Sequence, residues 1–73
     1  MIQSILFKSS VYDVKNAIKW LKARNYSFKN VHKTKNYIRF RQMTHAELIK
    51  NRITHYKNDV KDNGDIILVE CYN

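Results

Sequence analysis

The chain reads as an α+β domain of order β-α-β-β-α-β-β, with one main helix packed on a small, mostly antiparallel sheet. Three observations predict this. Apolar residues recur at helical spacing over one long stretch, at Val11, Val14, Ala17, Ile18 and Leu21. Side chains alternate with the period of a strand through Asn36-Tyr37-Ile38-Arg39-Phe40-Arg41-Gln42. A nearly continuous apolar run, broken by Glu70, occupies residues 66–72 near the end of the sequence. Seventy-three residues without a repeat or linker make a single small basic domain, residues 1–73, whose core must be thin.

Residues 1–8 form the first predicted strand, apolar on both faces and therefore well covered. Ser10 as N-cap with Asp13 three positions on approximates a capping box, so the helix is expected from about Val11 to Arg24, ending at Asn25. Trp20 lies beside the apolar stripe, as a boundary residue closing the core near Ala17. Residues 26–33 alternate as a second strand. The polar turn Lys33-Thr34-Lys35-Asn36 then joins it to the 36–42 strand as a hairpin, and the lack of glycine argues against a tight two-residue connection. Thr44-His45-Ala46-Glu47 is a capping box and opens a short helix containing Leu48 and Ile49. Residues 51–57 either continue that helix or form a fourth strand, and Thr54 and Tyr56 favour the strand. Residues 57–65 form a polar turn with Gly64, the only glycine, at a left-handed position, and residues 66–72 form the last strand.

Charge carries the functional information. The chain has 14 Lys and Arg against 6 Asp and Glu, a net charge of +8, and the excess is uneven. Residues 1–41 hold ten basic groups and one acidic group, whereas residues 42–73 hold four basic and five acidic. Such a field attracts polyanions, nucleic acid foremost. AT-rich codon usage would account for ten lysines and eight asparagines without any partner, but it does not account for the imbalance between bases and acids. Within the 36–42 strand, Tyr37, Arg39 and Arg41 share one face, where a ring stacks on a base and guanidinium groups pair with phosphates. Lys15, Lys19 and Lys22 form a row along the helix, and Lys33 and Lys35 flank the hairpin turn. The expected nucleic-acid-binding residues are thus Lys15, Lys19, Lys22, Lys33, Lys35, Tyr37, Arg39 and Arg41. A three-lysine row taken alone is more often an ordinary solvated helix face. The arginines have a bland reading too, pairing with Asp59, Asp62 or Glu70. Alternation leaves open which face of the strand is buried, because Tyr37 is as good a core residue as Ile38.

Other chemistries find little footing. The single cysteine, Cys71, neither closes an internal disulfide nor belongs to a zinc pattern, and it fits a reducing compartment. His45 and Glu47 do not make an HExxH pattern; Asp59, Asp62 and Asp65 lack the spacing of a calcium loop; one glycine makes no phosphate loop. We therefore expect no enzyme, no cofactor, no metal and no small-molecule substrate. No apolar run approaches a bilayer span, and the first residues lack the basic start of a signal peptide, so no membrane is expected and the protein reads as intracellular.

Ala17, Trp20-Leu21, the aromatic Tyr26 and Lys35-Asn36-Tyr37-Ile38-Arg39-Phe40-Arg41-Gln42 together resemble a short module of tailed phages and large DNA viruses of eukaryotes. There an Ala-x-x-Trp-Leu helix precedes a Tyr-x-Arg-Phe-Arg-Gln strand, and the resemblance covers roughly residues 7–42. Where that pattern tends to place proline after the glutamine, this chain has Met43-Thr44. The resemblance implies a viral protein, located in the virion, a replication compartment or the host nucleus. The expected function is binding of DNA or RNA with little sequence preference. The alternative is a viral interaction or virion module acting as a homodimer, with Trp20, Tyr12 and Tyr26 as anchors.

Overall fold

The computed structural model describes residues 1–73 and is α+β. In chain order the elements are strand β1 (Ile2–Lys8), helix α1 (Val14–Ala23), strands β2 (Asn30–Lys33) and β3 (Tyr37–Arg41), helix α2 (His45–Lys50), and strands β4 (His55–Lys61) and β5 (Ile66–Tyr72). One five-stranded sheet runs β2-β3-β1-β5-β4, and every neighbouring pair is antiparallel. The two apolar strands at the ends of the sequence thus lie side by side at the middle, with polar β2 and β4 on the rims.

Residues directly opposite in an antiparallel ladder share a face. Ile5 opposes Phe40 and Leu68, and Phe7 opposes Ile38 and Ile66. These side chains meet Ala17 and Leu21 of α1 in the core. Phe7 is the hub: its ring is edge-on to Tyr12, Trp20 and Phe40, with centroids at 5.1, 5.5 and 5.7 Å. The Ile38/Phe40 face of β3 is therefore the buried one. Tyr37, Arg39 and Arg41 point to the face that α1 does not cover.

The start of α1 differs from expectation. Asp13, not Ser10, is the N-cap, its Oδ1 accepting from the Asn16 N–H at 2.8 Å. The amides of Val11 and Tyr12 instead close a turn onto the Lys8 carbonyl, which leaves Val11 outside the buried stripe and 55% exposed. The far end stops where expected. Asn25 adopts a left-handed φ of 61°, and the Tyr26 and Asn25 amides bond back to the Leu21 and Lys22 carbonyls in a Schellman arrangement. That geometry consumes residues 25 and 26, so β2 begins at Asn30 rather than at Tyr26.

The capping box at Thr44 and Glu47 forms as read. Arg52 at φ 56° then ends α2 with the same two backward bonds, from Ile53 to Leu48 and from Arg52 to Ile49. The fourth strand corrects the reading more substantially, because it starts at His55 and runs to Lys61. Only Asp62–Gly64 forms the turn, with three successive positive φ values of 48°, 57° and 94°. Asp, Asn and Gly are the residues that tolerate such a path.

Arg52 has no such tolerance, and a left-handed φ costs a branched-chain-free but Cβ-bearing residue about 1 kcal/mol or more. Replacing Arg52 with glycine should raise stability by about 0.5–1 kcal/mol, seen as a rise of several degrees in Tm by calorimetry.

Candidate nucleic-acid interface

The bulge in β1 builds the first part of the site. Ile2 opposes Glu70 and Ser4 opposes Val69, so one extra residue is accommodated in β1 between those pairs. Gln3 and Ser4 are consequently both within reach of Arg39. The Arg39 Nε donates to Ser4 Oγ and its Nη2 to Gln3 Oε1, each at 3.0 Å, and the Ser4 hydroxyl also donates to Gln3 Oε1. Gln3 and Ser4 are buried, and Arg39 is half-buried. These partners are neutral, so they orient the guanidinium without cancelling its charge. Two of its five donors are engaged here.

Arg41 is exposed beside it, across the ladder from Ser4 on one side and Asn30 on the other. His32 opposes Arg39. Lys29, Asn30, Val31, His32, Arg39 and Arg41 line one shallow depression at the β2 rim. A second depression, lined by Lys8, Ser9, Ser10, Lys35, Asn36 and Tyr37, lies at the hairpin end. Thr34 shapes that hairpin: its hydroxyl donates to the Tyr37 carbonyl at 3.0 Å and accepts from the Tyr37 amide at 3.2 Å.

The eight expected residues do not share one face. Lys15, Lys19 and Lys22 stand exposed on α1, over the buried face of the sheet, and Lys33 opposes Ile38 and so belongs to that side. Tyr37, Arg39 and Arg41 are on the reverse face, and Lys35 is in the connecting turn. Lys29 joins the two groups. It lines the Arg39/Arg41 depression and also a hollow with Lys22 and Phe28, where the Lys22 Nζ sits 5.2 Å from the Phe28 ring centre. The basic surface is therefore a band wrapped around the β2 rim. Lys29 and Lys8 were missed in the sequence, where nothing but their charge marked them.

Gln42 holds the loop that carries Phe28 and Lys29. Its Nε2 donates to the Ser27 carbonyl at 2.7 Å, and its Oε1 accepts from the Ser27 amide at 2.8 Å. This two-pronged bond ties the segment after α1 to the end of β3.

None of the eight residues is engaged with a carboxylate. The one ion pair, Lys61 with Asp59 at 3.2 Å, is on β4 at the opposite rim. The aromatic anchors of the rival reading are largely occupied in packing. Tyr12 lies against Phe7, and Trp20 lies between Phe7 and a parallel Tyr26 ring. The Arg24 guanidinium rests 4.0 Å from the Trp20 ring centre. Trp20 thus closes the edge of the core, as its position beside the apolar stripe implied. No helix is long and apolar enough to cross a membrane. Comparison with protein-family models, curated proteins and solved structures found no match to this chain.

The two arginines should respond differently to the same substitution. Arg39→Met removes partners from two buried polar groups and should destabilise the fold by about 1–3 kcal/mol. Arg41→Met should change stability by no more than about 0.5 kcal/mol, with both values read from chemical denaturation.

Proposed function

We propose that this protein binds nucleic acid, DNA or RNA, with little sequence preference, through the basic band at the β2–β3 end of its sheet. One observation carries the reading: strand order turns the uneven charge of the sequence into an uneven charge in space. β2 and β3, with the helix row beside them, gather cations that no carboxylate neutralises. Asp59, Asp62, Asp65 and Glu70 belong to the β4–β5 end.

The chemistry is that of phosphate contact. Arg39 is held by neutral partners with donors to spare, Arg41 is free, and Lys22, Lys29, Lys33 and Lys35 are exposed around the rim. A band that curves from a helix face to a sheet face suits a chain of phosphates better than a single small anion. Point charges on flexible stems position a backbone without reading bases, which is why little specificity is expected. Taken with the motif over residues 7–42, the reading extends to a viral protein acting in the virion, a replication compartment or the host nucleus.

Fluorescence anisotropy with single-stranded and duplex oligonucleotides tests this. Affinity should fall steeply with salt, with a log–log slope of about −0.9 for each duplex phosphate neutralised. Arg41→Ala and Lys29→Ala should each weaken binding uniformly across sequences and reduce that slope by about 1, whereas Lys57→Ala should leave it unchanged. Absence of binding at low ionic strength would overturn the proposal, and equal binding of heparin would reduce it to nonspecific cation adhesion.

A further inference from the structure

The two rims of the sheet are unlike. β2 has four residues and is surrounded by lysines, whereas β4 has seven, pairs only with β5, and turns a full row of backbone donors and acceptors outward. Tyr56 and Val60 on this rim are 54% and 57% exposed. We propose that β4 pairs antiparallel with β4 of a second copy of this chain, about a two-fold axis at Asn58, to form one continuous ten-stranded sheet.

The side chains support that register. An axis perpendicular to the sheet keeps the α1 faces of both copies on the same side, and complete overlap of the strands places Asn58 opposite its own counterpart. Lys57 then opposes Asp59 of the second copy, and Tyr56 opposes Val60, each pair occurring twice. Opposite charges and an aromatic with a β-branched residue are the stabilising cross-strand combinations. Sliding the strands to centre on Asp59 would set Asp59 against itself and Lys57 against Lys61, which is destabilising. The register of greatest overlap thus avoids the like-charge pairs of that neighbouring one.

Long-range charge opposes this contact least. The joined rims carry the weakly acidic β4–β5 ends, and the two strongly basic ends point away from each other. The opposite choice, β2 against β2, would bring Lys29, Lys33 and Lys35 of both copies together. The pairing is independent of what the basic band binds, although it would give the dimer two such bands at its far ends.

Directed cross-linking reads the register. Asn58→Cys should form an intermolecular disulfide on mild oxidation, because directly opposed Cα atoms lie about 4.5–5.5 Å apart, within disulfide reach. Tyr56→Cys alone should not, since two copies of residue 56 would be roughly 13 Å apart along the strands. An equimolar mixture of Tyr56→Cys and Val60→Cys should give only the mixed disulfide. All these variants carry Cys71→Ala, because Cys71 opposes Tyr56 across the β4–β5 ladder and would otherwise capture its thiol within the chain, and the Cys71→Ala protein alone sets the background. In sedimentation equilibrium the wild type should shift with concentration from 8.8 kDa towards twice that mass. A mass that stays at 8.8 kDa up to millimolar concentration, or cross-linking no faster at position 58 than at position 56, would overturn the proposal.

Discussion

Everything in this fold takes its bearings from β1, the strand paired on both sides. Its ladder with β3 and its ladder with β5 set the register of the sheet, and a slip of one residue would exchange buried and exposed faces throughout. Ile5 and Phe7 look towards α1, and with them go Ile38, Phe40 and Ile66. Ser4 and Leu6 look the other way, and with them go Arg39, Arg41 and Ile67. The bulge at Gln3 is what lets a core strand also hold a guanidinium. In a chain with only nine buried hydrophobic residues, this one strand provides both the centre of the core and the seat of the arginine.

The sequence was most legible where local chemistry and tertiary demand agreed. The α1 stripe from Val14 to Leu21 and the final strand have signals that burial reinforces, and the Thr44 box forms from local bonds alone. Two boundaries failed because a nearby residue offered a better bond: Asp13 outcompeted Ser10 as a cap, and the left-handed end at Asn25 took the residues assigned to the second strand. β4 was misplaced for a different reason. Lys57, Asn58 and Asp59 have little intrinsic strand preference, and they extend because β5 presents a ladder to pair with. An edge strand with solvated side chains leaves a faint trace in its own residues.

The same contrast governs the candidate site. The segment from Tyr37 to Gln42 drew the functional reading, but much of its chemistry is structural. Phe40 is core, Arg39 bonds to Gln3 and Ser4, and Gln42 clamps Ser27. A motif of this kind can persist because a fold needs it. The residues that carry free charge are less patterned: Arg41 within the motif, and Lys29 outside it, where the loop held by Gln42 brings the helix row and the sheet arginines into one band. Alternation along a strand showed that Arg39 and Arg41 share a face. It took the packing of α1 to show that the lysine row lies on the other.

The central claim is that polyanion contact is confined to the β2–β3 end. Backbone amide chemical shifts followed during titration with a short oligonucleotide test it most directly, since they report every strand at once. The account predicts perturbations clustered at residues 22–41, with β4 and the β5 residues beyond Ile66 silent at low occupancy. Perturbations centred on β4 and β5, or spread evenly over the molecule, would contradict it.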